Sequence, residues 1–290
     1  MHKVMLHVLE NDIIMFQINK YFIILLFVFF ISCTENKQRP FSFVQLCDTQ
    51  LGTGGYDHSL NSFKMAVKQI NKLDHDFVVI CGDLVNNPND SSFSDFKEIM
   101  KGFKMPCYTA PGNHDVGNIP DDNSLSYYRK TIGKDYYKFK NKGYSFIVTN
   151  TQLWKANVEN ESEKHDNWFK KTLQDKSVSD NPVFVIGHYP LYIETLEEKE
   201  AYYNIPINKR KEILNLFKQN NVKAYLTGHT HETVINNYEN IQLISGSTIS
   251  KNFDKSPLGF RVWKVRLDTI THHFESLQST IIEKNIIDKN

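Results

Sequence analysis

Six residues are of the types that bind divalent cations: Asp48, Asp83, Asn113, His188, His229 and His231. Carboxylates, an amide and imidazoles suit hard and borderline metals. Each stands just past a short apolar run that reads as a buried strand, often beside a glycine that lets the chain turn, as in Gly82-Asp83 and Gly112-Asn113. In open α/β sheets, ligands bind outside the carboxyl ends of the strands. Five such loops bring oxygen and imidazole donors to one edge, where they can hold two divalent cations roughly 3.5–4 Å apart with one carboxylate between them. Asp48 shows the need. It ends the run F-S-F-V-Q-L-C, and a carboxylate at the tip of an apolar strand is costly to desolvate unless a positive charge meets it. The plainer readings are Asp83 as a turn residue, His188 as a structural loop histidine and the G-H-x-H spacing as chance.

The elements that must position these residues follow from hydrophobic period. Buried strands are expected from Phe41 and over 77–81, 106–110, 182–186 and 222–226. A hairpin is expected over 136–149, turning at Asn141-Lys142-Gly143, and further strands near 233–238, 241–245, 259–267 and 270–276. Helices are expected over 57–73, 91–101 (capped by Ser91 or Ser92), 162–175 and 206–219. The alternation predicts an α/β protein with mixed sheets, helices outside, and one domain over 41–277 followed by a polar tail, 278–290.

The chain has 290 residues, 40% of them hydrophobic, and a formal net charge of +1, without a basic block that would suit nucleic acid. Residues 22–31 are ten unbroken apolar residues, half of what a bilayer span needs, so 1–33 reads as a signal peptide and 34–40 as a polar tether. Ser32-Cys33 resembles a bacterial lipoprotein box, with Cys33 lipidated. That predicts an exported, membrane-anchored lipoprotein of a bacterial cell envelope; a plain signal peptide or short membrane anchor are the alternatives. Glu10 and Asp12 ill suit a signal, which makes Met15 a candidate start beside Met1. Cys47, Cys81 and Cys107 read as three buried thiols rather than a disulfide framework. His58, His75, His165, His272 and His273 read as surface or strand-filling residues, and the run 192–203 as either a solvated loop or a rim of the site.

Five blocks in order carry a family resemblance: D48-T-Q50, G82-D-L-V-N86, G112-N-H-D115, G187-H188 and G228-H-T-H231. They resemble the calcineurin-like metallophosphoesterases. GNHDVGN (112–118), YSFIVTNTQ (144–152), PLYIETLEEKEAYYNIP (190–206) and GFRVWKV (259–265) are similar to the branch of calcineurin-like phosphoesterase domain-containing protein 1, which also has Gln in the first block. The resemblance implies a four-layer αββα sandwich of two mixed β-sheets and two divalent metal ions, Mn, Fe or Zn. One metal takes Asp48, Gln50, Asp83 and His231, and the second takes Asp83, Asn113, His188 and His229. It implies a bridging hydroxide as nucleophile, His114 as proton donor to the leaving group or phosphate ligand, and Asn86 orienting His114 where some relatives have Asp. The activity implied is a phosphomonoesterase, similar to protein Ser/Thr phosphatases, with a phosphoester and possibly a phosphoprotein as substrate. A phosphodiesterase on cyclic nucleotides or lipid head groups, and a non-catalytic metal-binding scaffold, stay open. The second block lacks the tyrosine that ligates ferric iron in purple acid phosphatases.

Overall fold

The strand Phe41–Leu46 (β1) is apolar on both faces because both faces are covered. Phe41 and Phe43 point into one core and Val44 and Leu46 into another. The structure, a computed structural model, describes residues 38–278; the apolar run 22–31, Cys33 and residues 279–290 lie outside them. β1 lies between Phe77–Cys81 (β2), to which it runs parallel, and Gly259–Val265 (β10), to which it runs antiparallel. With Cys107–Ala110 (β3) and Ile270–Ser276 (β11) they form a five-stranded sheet in the order β11-β10-β1-β2-β3. Tyr137–Asn141 (β4), Tyr144–Val148 (β5), Val183–Ile186 (β6), Val222–Thr227 (β7), Val234–Tyr238 (β8) and Ile241–Ser245 (β9) form a six-stranded sheet in the order β4-β5-β6-β7-β9-β8. Its interior strands are parallel and its two edge strands antiparallel.

Three cores stack through the molecule. Between the sheets, Phe43 lies parallel to Phe77 with centroids 4.9 Å apart and meets Phe184 of the other sheet edge-on at 5.6 Å. The one polar side chain of β1 to enter this layer, Gln45, is fully bonded. Its amide donates to the carbonyls of Thr227 and Ile244, and its oxygen accepts from Trp263 Nε1 at 2.9 Å. A buried amide left unbonded would cost about 1–3 kcal/mol. The outer face of the first sheet packs on helices Tyr56–Ile70 (α1) and Asp90–Met100 (α2), through Phe63, Ala66, Phe93 and Phe96. The short turn Asn113–Val116 (α3) and Asp122–Thr131 (α4) follow β3, and Gln152–Lys155 (α5) follows β5. The outer face of the second sheet packs on Glu161–Gln174 (α6) and Ile207–Gln219 (α8), with the short Lys176–Ser179 (α7) between them in sequence. This is the expected αββα sandwich. No helix of the described residues is long and apolar enough to cross a membrane.

Four expectations need correction. α2 is capped by Asn89, not by Ser91 or Ser92: Asn89 accepts from the Ser92 amide, and the Ser92 hydroxyl accepts from the Asn89 amide, a reciprocal pair that starts the helix earlier. α4 has no counterpart in the sequence reading, because only Leu125 and Tyr128 bury and the apolar period is too sparse to see. His165 is neither at the surface nor in a strand; it is fully buried on α6 with Nε2 2.8 Å from Thr149 Oγ1. Cys47 and Cys81 are buried, whereas Cys107 is only half-buried at the start of β3; all three are free thiols.

Candidate metal centre

The ladder between β1 and β2 continues past both strands. Asp48 N donates to Gly82 O, Gln50 N to Asp83 O at 2.8 Å, and Leu51 N to Leu84 O. These bonds run the first two loops side by side and hold Asp48, Gln50 and Asp83 in one row. The backbone bends sharply to do so. Asp48, Gln50, Asp83, His229 and His231 all have positive φ, between 35° and 71°. Each such residue costs roughly 1–2 kcal/mol relative to right-handed backbone. Neighbouring glycines make the crowding possible. A Cβ on Gly112 would overlap the Asp83 carboxylate, and one on Gly228 would overlap the Asp48 carboxylate.

Asp115 ties the second loop to the third. Its carboxylate accepts from Gly112 N at 2.8 Å, Leu84 N at 3.0 Å and Val85 N at 3.2 Å. The third block is therefore a single helical turn closed by its own aspartate. The Asp83 carboxylate accepts from the His114 amide at 2.9 Å, and Asp48 accepts from the His229 amide at 3.1 Å.

Two clusters of donor atoms result, each within 4.8 Å: Asp83, His188 and His229, and Asp48, Asp83 and His231. They share Asp83. Main-chain carbonyls fix two of the imidazoles. His188 Nδ1 lies 2.8 Å from Cys81 O, and His231 Nδ1 lies 2.5 Å from Lys251 O, so both rings turn Nε2 into the cluster. Metal-binding histidines are oriented in this way. His188 Nε2 then meets Asn113 Oδ1 at 3.0 Å, His229 Nδ1 at 3.1 Å and Asp83 Oδ1 at 3.4 Å. Asn113 Nδ2 donates to the Tyr202 hydroxyl, 2.9 Å away, and its Oδ1 faces the cluster at His188.

His188 Nε2 thus faces acceptor atoms on three sides, an arrangement that either a ring proton or a metal cation satisfies. Gln50 Oε1 and His229 Nε2 are buried without a hydrogen-bond partner. The residues present fit a pair of cations. Burial disfavours charge on His188, yet Asp83 and Asp48 outweigh it and hold the imidazole up at about 9. Burial pushes Asp48 up to about 6 against the pull of His231 and His188. Asp83, equally buried, is held well below the usual carboxylate range by His188 and His114.

His114 stands beside this cluster, and its orientation differs from expectation. Its Nδ1 lies 2.9 Å from the main-chain oxygen of Asn86, not from the Asn86 side chain. The Asn86 amide oxygen instead accepts from Thr53 Oγ1 at 2.9 Å and, weakly, from Gln50 Nε2 at 3.5 Å. The side-chain type at 86 therefore sets the Gln50 loop rather than the His114 ring.

The run 192–203 rims the site. Glu198 accepts from the amides of Ile193, Glu194 and Thr195 and from Asn204 Nδ2. The buried Arg210 guanidinium donates to the carbonyls of Leu196, Glu198 and Ile205. Lys155 donates to Asn204 O and Ala201 O. So held, the loop lays Tyr202 5.0 Å from the His229 ring. A cleft of about 340 Å³ opens here, lined by Tyr202, Tyr203, Glu232 and Phe253 among others. None of these four was singled out in the sequence as a site residue; only the aromatic-acidic composition of the run hinted at the first two.

The sequence model of the calcineurin-like phosphoesterase family matches residues 41–233. The chain is 30% identical over 274 residues to serine/threonine-protein phosphatase CPPED1 of Bos taurus, covering 86% of this chain and 87% of that protein. It is likewise 30% identical over 273 residues to CPPED1 of Danio rerio, covering 84% and 88%. Among solved structures, a dimetal phosphatase from Danio rerio is similar with a TM-score of 0.62 at 13% identity, covering 82% of this chain and 97% of that one.

Proposed function

This chain belongs to the calcineurin-like phosphoesterase family, a hydrolase of phosphoesters, and from that premise we propose that it is a phosphomonoesterase working at a dinuclear metal centre. The observation that carries the reading is the pair of donor clusters sharing Asp83. Asp48, Gln50, Asp83 and His231 hold one cation, and Asp83, Asn113, His188 and His229 the other. Two divalent cations, Mn, Fe or Zn, supply a hydroxide at neutral pH and neutralise the phosphoryl oxygens. His114, with Nδ1 tied to the Asn86 carbonyl, keeps Nε2 for the leaving alkoxide or a phosphoryl oxygen. The relatives named serine/threonine-protein phosphatase support phosphoserine and phosphothreonine as the substrates to examine first.

Turnover of p-nitrophenyl phosphate in Mn²⁺, Fe²⁺, Zn²⁺ or Mg²⁺, abolished by chelation and much faster than turnover of the bis ester, is the expected result. Faster hydrolysis of the bis ester refutes the monoesterase reading. No metal-dependent turnover of any phosphoester leaves the metal-binding scaffold.

The reading extends to location. Residues 1–33 form a lipoprotein signal, 34–40 a tether and 41–277 the catalytic domain, with Cys33 anchoring the chain to a cell-envelope membrane. Support comes from the ten-residue apolar run ending before Ser32-Cys33. Metabolic palmitate labelling should disappear in Cys33→Ser; labelling equal to the parent rejects the anchor.

A further inference from the structure

The cleft beside His229 has a composition that the phosphoryl chemistry does not explain. Phosphate needs positive charge, yet none of the residues lining this cleft is a lysine or arginine. Ile193, Tyr202, Tyr203 and Phe253 line it together with Glu232. Eight large apolar side chains are exposed among the described residues, and three of them, Tyr202, Tyr203 and Phe253, meet in this one place. The cleft is continuous with the donor clusters. Phe253 stacks on the His231 ring at 4.5 Å and 11°, and Tyr202 lies 5.0 Å from His229. Among the described residues no cationic side chain lies within ion-pair distance of Glu232. In the loop that supplies the tyrosines, Glu197 pairs with Lys211 and Glu198 is spent on the loop's own amides, so neither cancels or adds to the charge of Glu232 in the cleft.

Aromatic faces with a neighbouring carboxylate recognise cations that carry apolar surface. An arginine side chain matches on each count. Its methylene stem lies on rings, its planar guanidinium stacks on them, and its fork meets a carboxylate. Resting on the phosphomonoesterase reading, we propose that this cleft is a specificity subsite that receives an arginine or lysine flanking the phosphorylated residue of a peptide substrate. The rim is suited to the task because it is rigid. Arg210, Lys155 and Glu198 fix the loop from beneath, so the rings are in place before substrate arrives. Hydrolysis itself is unchanged: hydroxide forms a new P–O bond, the bond to the serine oxygen breaks, and that oxygen takes a proton.

The test is a phosphoserine peptide set in which one arginine is moved through each position on either side of the phosphoserine. A matching set carries citrulline, which keeps shape and loses charge. At one position kcat/KM with arginine should exceed that with citrulline about tenfold. Glu232→Gln and Tyr203→Leu should each reduce that ratio severalfold, with p-nitrophenyl phosphate turnover of each variant as the check that it is folded. Ratios near one at every position, or a ratio untouched by Glu232→Gln, overturn the proposal. So does faster turnover of phosphocholine than of any phosphopeptide, which would give the cleft to a small ammonium ester. Calorimetric binding of the arginine and citrulline peptides to chelated protein separates the two levels of the argument. If no phosphoester is hydrolysed but arginine still binds tighter through Glu232, the hydrolase reading fails and the subsite stands. Equal binding of the two peptides there counts against the subsite.

Discussion

Replacing Gln50 by leucine should stabilise the metal-free protein and weaken the metal-loaded one. Gln50 is 3% exposed, and its Oε1 has no hydrogen-bond donor. Its Nε2 makes one long contact, 3.5 Å to Asn86 Oδ1, and that oxygen keeps its better donor, Thr53 Oγ1 at 2.9 Å, when Gln50 is gone. A buried acceptor without a partner costs about 1–3 kcal/mol. Leucine removes it, fills most of the same volume, and loses only the weak Nε2 bond. Both residues bear the positive φ of 35° alike. The metal-free variant should therefore gain about 1 kcal/mol.

With a cation present the sign reverses. Binding stabilises the folded state by RT ln(1 + [M]/Kd), about 2.7 kcal/mol at a hundredfold excess over Kd. If the Gln50 oxygen is a ligand, its loss raises Kd and removes much of that increment. Urea denaturation in chelator and in Mn²⁺ measures both arms, with an unchanged m-value showing that the midpoint shift is a stability change. The expected outcome is a reversal of rank between parent and variant on adding metal. A variant shifted equally in both conditions, in either direction, refutes ligation by Gln50. Gln50→His should tighten the same position and move its preference from Mn²⁺ toward Zn²⁺.

Asp115→Asn should destabilise by about 2–4 kcal/mol, because the amide NH₂ must face main-chain N–H groups that the carboxylate now accepts from; chemical denaturation of the metal-free variant measures it. His114→Ala should slow hydrolysis about 10²–10⁴-fold on alkyl phosphates and less on p-nitrophenyl phosphate, whose leaving group needs little protonation. Metal content by elemental analysis should stay unchanged, and equal losses on both substrates would move His114 to phosphate binding. Arg210→Met should speed amide exchange in Leu196–Ile205 about tenfold, since three carbonyls of that loop lose their donor; exchange confined to parent rates would mean that packing alone holds the rim.

Much of this centre was legible because strands end where apolar runs end. The runs before Asp48, Gly82-Asp83, Gly187-His188 and Gly228-His229 set both the sheets and the edge at which the donors gather. Other features lie in atoms with no sequence signature. His188, His231 and His114 are each oriented by a main-chain carbonyl, of Cys81, Lys251 and Asn86, and any residue type at those positions offers the same oxygen. That is why an orienting role read from the Asn86 side chain was misplaced. Tyr202 reaches Asn113 across 89 residues of sequence, and nothing in the local pattern of either segment announces the contact. α4 escaped because its cap, Asp121 with Ser124, is clear but its apolar face is only two residues wide.

The glycines and the ligands divide one steric problem between them. A tight strand-to-loop turn calls for left-handed backbone, which glycine adopts without strain. Glycine, however, has no side chain to offer a cation. At Asp48, Gln50, Asp83, His229 and His231 the chain accepts the strained conformation on the residue that carries the donor atom. Glycine stands instead where another loop's carboxylate needs the room, Gly112 for Asp83 and Gly228 for Asp48. Neither choice works alone. A larger residue at Gly112 would push Asp83 out of both clusters, and a glycine at 83 would relax the turn while removing the carboxylate the clusters share. Strain of this kind persists only where surrounding bonds over-determine it. Here those bonds are the continued ladder from Asp48 and Gln50 to the second loop and the three-way clasp of Asp115, so the geometry for two cations is held by hydrogen bonds that do not involve the cations themselves.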